Sequence, residues 1–166
     1  MGHQDHMREA REHVPCAVLT VSDSRTEETD RSGRLIIEHL ESAGHSVEEY
    51  RVIPDSYQGI QEALRDLQGG EVKVVILTGG TGITRRDVTP EAVGPMLDKE
   101  LVGFGELFRH LSYREIGSAA MMSRAMGGVS MGKIILCLPG STGAIRLAME
   151  EIIVPQIGHL VLEVEK

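Results

Sequence analysis

The sequence predicts a three-layer α/β/α fold with a mostly parallel central sheet. Short apolar, β-branched runs alternate with stretches of helical periodicity, and several of those runs end in clusters of Gly, Ser, Thr or Asp. Alternation of this kind requires crossovers, and crossovers lay helices on both faces of a parallel sheet. The chain has 166 residues, which suits one domain with its own core and no stapling metal or disulfide.

Each element follows from local chemistry. Residues 1–13 are polar and read as a flexible N-terminal tail, leaving residues 14–166 as a single domain. Cys16 to Val21 is a buried strand, stopped by Ser22-Asp23-Ser24. Leu35, Ile36, Leu40 and Ala43 recur at helical spacing from Ser32 to Ala43, and Gly44 ends that helix. Val47 to Ile53 is a second strand, closed by Pro54-Asp55. Ile60, Ala63, Leu64 and Leu67 mark the next helix face, and Val72 to Leu77 is an unbroken strand running into Thr78-Gly79-Gly80-Thr81-Gly82. Thr89 is expected to cap a helix that has Pro90 at its first position. Ser112 and Glu115 stand at capping-box spacing before a helix expected from Glu115 to Met126, which would carry Met121, Met122 and Met126 as a packing face. Ile134 to Leu138 is a fourth strand, followed by Pro139-Gly140-Ser141-Thr142, a helix from about Ala144 to Glu151, and a last amphipathic stretch from Pro155.

Composition narrows the function. Seventeen Lys and Arg stand against 25 Asp and Glu, a formal net charge of −8, with two Phe, three Tyr and no Trp. Neither a basic face nor a stacking platform for nucleic acid is expected. Cys16 and Cys137 sit in apolar runs without a CxxC partner, as in proteins of reducing compartments, and no segment resembles a signal core or a bilayer span. A cytoplasmic protein with no membrane contact is therefore expected. The histidines form no zinc pattern, and no GxSxG elbow occurs.

In open α/β sheets, ligands bind beyond the carboxyl ends of the strands. Ser22-Asp23, Pro54-Asp55, Thr78 to Gly82 and Pro139 to Thr142 all fall at that edge. Gly, Ser and Thr let backbone amides and hydroxyls approach an anion closely. The glycines at 79, 80 and 82 lack the Lys of a Walker loop, and Arg85 stands where a dinucleotide fingerprint needs its third Gly. By pattern the stretch is a tight turn or a phosphate loop, and the polar ends of the other three segments favour the loop. The negative net charge does not oppose an anion. A unit charge ~15 Å away is worth roughly 0.3 kcal/mol before screening, whereas one charge-assisted hydrogen bond supplies ~1.5–3 kcal/mol. Asp87 reads either as a helix-entry acid or as a carboxylate that orients a metal or nucleophile beside phosphates, and Asp55 as a turn residue or a metal-facing acid.

The string Thr78-Gly79-Gly80-Thr81-Gly82-Ile83-Thr84-Arg85-Arg86-Asp87-Val88-Thr89-Pro90-Glu91-Ala92 closely resembles the signature of the molybdopterin-binding family of molybdenum cofactor biosynthesis. Leu19-Thr20-Val21-Ser22-Asp23, Gly103-Phe104-Gly105-Glu106 and Leu138-Pro139-Gly140-Ser141 extend the likeness over about residues 15 to 160, and the Ser112-to-Gly128 segment is similar to the protein B branch. This resemblance implies the molybdopterin-binding fold, a homotrimer or homohexamer, and binding of molybdopterin. It further implies Mg-ATP-dependent adenylylation of the pterin's phosphate with release of pyrophosphate, or, in inactive relatives, a carrier without catalysis. Catalytic aspartates of the family map onto Asp87 and Asp55, the latter as the Mg²⁺ ligand. Ligand contacts are expected at Ser22, Asp23, Thr78, Gly79, Gly80, Thr81, Gly82, Glu106, Pro139, Gly140, Ser141 and Thr142.

Overall fold

A computed structural model describes residues 11–166. The elements run β1 (Pro15–Val21), α1 (Arg31–Ser42), β2 (Ser46–Ile53), α2 (Tyr57–Asp66), β3 (Val74–Thr78), α3 (Thr89–Val93), β4 (Lys99–Glu100), α4 (Val102–Ile116), β5 (Met126–Ser130), β6 (Lys133–Leu138), α5 (Thr142–Ala148) and α6 (Val154–Glu165). The six strands form one sheet in the order β2-β1-β3-β6-β5-β4. β2, β1, β3 and β6 are parallel, and β5 and β4 are antiparallel additions at one edge. The three-layer α/β/α architecture expected from the sequence is the one observed.

Side-chain alternation splits the buried residues into two cores. Cys16, Val18, Val74, Ile76, Ile134 and Leu136 face one way, onto Ile36 and Leu40 of α1, Phe104 and Phe108 of α4, and the α5–α6 helices. Ala17, Leu19, Val75, Leu77, Ile135 and Cys137 face the other way, onto Ile60 and Leu64 of α2 and Ala92 and Val93 of α3. Strands buried on both faces read as continuous apolar runs, which is why β1, β3 and β6 were visible without any alternation. Burial pushes the thiols of Cys16 and Cys137 up to about 12, so both stay protonated and inert near neutral pH. No helix among the described residues is long and apolar enough to cross a membrane.

A buried polar knot ties α1 to the sheet. Asp30 is fully buried at the N-cap, where Oδ1 accepts from the Gly33 amide at 3.0 Å and Oδ2 accepts from Thr20 Oγ1 and Tyr50 Oη, each at 2.6 Å. Burial opposes ionisation of this carboxyl, but the donors around it outweigh that penalty and hold it below the ordinary carboxylate range.

Two expectations are corrected. Residues 115–126 are not a helix: α4 already spans Val102–Ile116, Ser112 and Glu115 lie inside it, and a 3₁₀ turn over Gly117–Met122 leads into β5. Gly117, with φ +65°, ends α4 in a conformation open to glycine, a stop signal that the capping-box spacing obscured. Met121 and Met122 are accordingly exposed on the 3₁₀ turn, and Met126 opens β5. Thr89 is not an N-cap: Val88 holds that position without a side-chain bond, and the Thr89 hydroxyl instead donates to Gly79 O at 2.8 Å. Residues 1–10 of the expected tail lie outside the described residues. At its end, Arg11 donates through its amide to Gly158 O and pairs with Glu165.

The β5–β6 hairpin turns through Met131 (φ 49°) and Gly132 (φ 74°), the two left-handed positions of a type I′ turn. Left-handed backbone costs an L-residue about 1–2 kcal/mol, and Asn tolerates it better than Met does. Met131→Asn is therefore expected to raise stability by roughly 0.5–1 kcal/mol, read as an upward shift of the urea midpoint at unchanged m-value.

Candidate functional site

The chain reverses direction across the sheet between β1 and β3. α1 carries it outward to β2 on one side of β1, and α2 brings it back over β1 to β3 on the other. Crevices form where strand order reverses in this way. A hollow of about 170 Å³ lies there, lined by Thr20, Ser22, Arg25, Asp30, Ser32, Thr78, Gly79 and Gly140 among others. A second, of about 390 Å³, is lined by Ile83, Thr84, Arg85, Asp87, Val88, Glu91 and Arg124. The glycine turn contributes Gly79 to the first, and its continuation contributes Ile83 to Asp87 to the second.

The turn is bent by its first two glycines and held from behind. Gly79 has φ +101° and Gly80 φ +69°, and a Cβ at Gly80 would stand 2.3 Å from Thr89 Oγ1. Four successive carbonyls are engaged by the protein: Gly79 O by Thr89 Oγ1 (2.8 Å), Gly80 O by the Thr89 amide (3.0 Å), Thr81 O by the Arg124 amide (3.0 Å), and Gly82 O by Arg124 Nε (2.8 Å). A trans peptide directs its N–H opposite to its C=O. Anchoring these carbonyls therefore turns the amides of Gly80, Thr81, Gly82 and Ile83 away from their anchors, and none of the four donates to a protein acceptor among the described residues. Consecutive unpaired amides on a glycine turn of this kind can serve as an anion cradle.

Three carboxylates stand near this cradle. Asp55, at the end of β2, is half-buried, and its Oδ1 is a buried oxygen without a hydrogen-bond partner. That oxygen lies 3.3 Å from where a Cβ on Gly80 would be. Asp23 Oδ1 accepts from the Asp55 amide at 3.0 Å. Burial, then the negative charges of Asp23 and Asp87, raise the Asp55 carboxyl above its ordinary range, with Arg86 pulling weakly the other way. Asp87 closes its own turn, because Oδ2 accepts from Thr84 N at 2.9 Å and Thr84 Oγ1 at 2.6 Å. An orphaned, partly desolvated carboxylate oxygen with a raised affinity for a proton is equally a place for a cation. Among the described residues, no group of three acids, His or Cys could hold a metal unaided. A divalent ion at Asp55 would need further oxygens from a bound ligand.

The remaining expected site residues divide. Ser22 Oγ accepts from the Ser24 and Arg25 amides, turning the chain after β1 beside the first hollow. Thr78 Oγ1 donates to Pro139 O at 3.0 Å, and Ser32 Oγ donates to Gly140 O at 2.6 Å, which fixes the segment after β6 against the glycine turn. A Cβ on Gly140 would lie 3.7 Å from the Gly79 Cα. Ser141 caps α5 by accepting from the Ala144 amide, and Thr142 is exposed as its first residue. Glu106 is not brought in: it is exposed on α4 and shares no hydrogen bond or ion pair with the glycine turn. Sequence reasoning missed Arg124 and the anchoring role of Thr89. An arginine between Ser123 and Ala125, inside a stretch read as helix, carried no signal of its own.

Comparison with known proteins places the chain among relatives of the same fold. Residues 17–159 match the family described as "Probable molybdopterin binding domain". Molybdenum cofactor biosynthesis protein B of Bacillus cereus is 51% identical over 168 residues, covering 100% of this chain and 99% of that protein. Its Bacillus subtilis counterpart is 49% identical over the same span. A crystal structure of a molybdenum cofactor biosynthesis protein B superposes with a TM-score of 0.89 at 53% identity, covering 92% of this chain and 96% of the other. The tungsten cofactor synthesizing protein MoaB from Pyrococcus furiosus superposes at 0.86 and 38% identity, covering 95% of this chain and 100% of the other. With a family match over residues 17–159 and about half of all positions identical to full-length relatives, the chain belongs to the family of molybdopterin-binding domains of molybdenum cofactor biosynthesis.

Proposed function

We propose that the chain is a molybdopterin adenylyltransferase, transferring the adenylyl group of ATP to the terminal phosphate of molybdopterin. The carrying observation is the row of four free amides on the 79–83 turn, set at the strand-order reversal beside Asp55, with a hollow on either side. Two polyanions must meet for this reaction, so positioning and charge neutralisation are what the site has to supply. A phosphate oxygen of the pterin attacks the α-phosphorus of ATP. The bond from that phosphorus to the oxygen bridging to the β-phosphate breaks, and pyrophosphate departs with the electron pair. The attacking phosphate is already ionised near neutral pH, so no general base is required.

The chain's own groups have distinct parts. The amides of Gly80, Thr81, Gly82 and Ile83 hold phosphate oxygens by charge-assisted hydrogen bonds. Arg85 and Arg86, exposed on the following turn, add positive charge at its lip. Ser22, Thr78, Gly79 and Gly140 line the first hollow, the space for the pterin end. Asp23 fixes the Asp55 backbone, while Asp55 offers its free oxygen and Asp87 sets the Thr84–Asp87 turn. Mg²⁺, when bound at Asp55, neutralises phosphate charge and stabilises the pyrophosphate leaving group. Without such an ion these carboxylates would repel the phosphates beside them, which is why their presence supports a metal-dependent reaction.

Self-association is part of this reading. Val102, Leu107, Tyr113 and Ile116 of α4 are exposed apolar residues, and Met121 just beyond is 80% exposed. Val102, Tyr113 and Ile116 recur on one side of the helix, and an exposed apolar surface of this kind suits burial against a second copy. Sedimentation equilibrium is expected to give a trimer or hexamer, and the double change Tyr113→Lys, Ile116→Glu to lower that mass. A monomeric wild type would remove this part.

Purified protein supplied with molybdopterin, ATP and Mg²⁺ is expected to yield adenylylated pterin and pyrophosphate, identified by mass spectrometry. Ligand binding without turnover would instead make the chain a carrier. Asp55→Asn should lower turnover by at least about 100-fold. It should also stabilise the unliganded protein near pH 7. The wild-type carboxyl is raised in the fold, so its ionisation weakens the fold as pH rises through that value. The gain from Asn should fade as pH falls below the ordinary carboxylate range, where the native Asp55 is protonated in both states. Gly80→Ala, which forces a side chain onto Thr89, should weaken binding of inorganic pyrophosphate about tenfold or more by calorimetry.

A further inference from the structure

Arg124 lies in the three-residue strap between the 3₁₀ turn Gly117–Met122 and β5. Each nitrogen of its guanidinium donates to a different point of the loop and helix opposite. Nε donates to Gly82 O at 2.8 Å, Nη2 to Asp87 O at 3.0 Å, and Nη1 to the Glu91 carboxylate of α3. Its backbone amide donates to Thr81 O. The residue thus fastens both ends of the segment that carries the free amides and Asp87. The same ion pair, more than any other influence, draws the Glu91 carboxyl below its ordinary range.

The strap has its own support. Arg109 of α4 donates through Nη1 to Ser123 O at 3.3 Å and Ala125 O at 2.8 Å, on either side of Arg124. Gly105 makes that approach feasible, since a Cβ there would stand 2.6 Å from Ala125 O and 2.7 Å from Arg109 Nη2. Support therefore runs from α4 through the strap into the back of the glycine turn. Hydrogen bonds to a carbonyl also polarise the N–H of the same peptide. Donation to Thr81 O and Gly82 O accordingly strengthens the amides of Gly82 and Ile83 as anion donors.

We infer that Arg124 is a positioning residue for the anion cradle, holding the turn's carbonyls so that its amides and Asp87 are set before substrate arrives. This rests on the phosphoryl-transfer reading given above. Because all three nitrogens are committed to protein acceptors, the side chain acts through the loop. A lysine at the same place could satisfy some of these acceptors but not the forked set.

Three measurements on the full chain in its native assembly test this, comparing wild type with Arg124→Lys and Arg124→Ala. Amide hydrogen exchange over residues 80–87 should accelerate about tenfold or more in Arg124→Ala and by less in Arg124→Lys, with the core strands unchanged. Affinity for inorganic pyrophosphate in the presence of Mg²⁺ should fall in the same order. In adenylyl transfer, kcat should drop about tenfold or more while KM for ATP moves less than about threefold. Exchange and affinity within about twofold of wild type would overturn the inference, as would a rise in KM at constant kcat, the mark of direct substrate contact. If Arg124→Ala does not fold by circular dichroism, Arg124→Lys decides alone, and wild-type values throughout would overturn the inference. A wild type that transfers no adenylyl group sinks the reaction while leaving exchange and pyrophosphate affinity to judge the arginine.

Discussion

The peptide plane is the constraint on which this site depends. A planar trans unit cannot aim its carbonyl and its amide independently, so fixing one fixes the other. Thr89 and Arg124 together engage the carbonyls of residues 79 to 82, and the orientation of four amides follows. Both anchors come from outside the turn: one from the first turn of α3, the other from the strap before β5. The third strand delivers the turn to the crevice, but what it presents there is decided by elements that follow it in the chain. This is why the turn belongs to the fold as a whole and not to a local glycine motif.

The electrostatics show the same division between local and global. A chain with a net charge of −8 carries, at its cradle, amide dipoles and two exposed arginines beside three aspartates. The aspartates weaken the folded state by crowding negative charge around Asp55, whose free oxygen has no internal partner. Contrast Asp30, buried more completely, where three donors compensate the burial and the carboxyl is held ionised. One carboxylate is satisfied by the protein and serves as a structural knot. The other is left wanting, as groups intended for an external ligand commonly are.

Much of the fold could be read from the chain because β1, β3 and β6 are buried on both faces and so spell unbroken apolar runs. β5 could not be read in that way. Its Met126-Gly127-Gly128-Val129-Ser130 sequence has two glycines, admitted because Leu136 and the backbone of Lys99 approach them closely, and it lacks both alternation and β-branched enrichment. The hairpin after it was hidden too, since Met131-Gly132 stands where Asn-Gly would have announced a type I′ turn. At the site, the glycines and aspartates were legible because four polar strand ends fall at one edge of the sheet, even though Gly and Asp there also serve turns and caps. Arg124 was not, because its importance lies in three acceptors 33 to 42 residues away in sequence. Glu106, singled out only through a family likeness, stands apart from the turn within this one chain.

The antiparallel edge of the sheet is closed by β4. That strand is two residues long, Lys99 and Glu100, both exposed and oppositely charged. A long, flat, apolar border would invite another polypeptide to extend the ladder and so begin a fibril. A border this brief and this hydrophilic offers almost no template, and the opposite border, β2, bears Glu48, Glu49 and Arg51 within its length. The sheet is thereby insulated against uncontrolled growth at both margins.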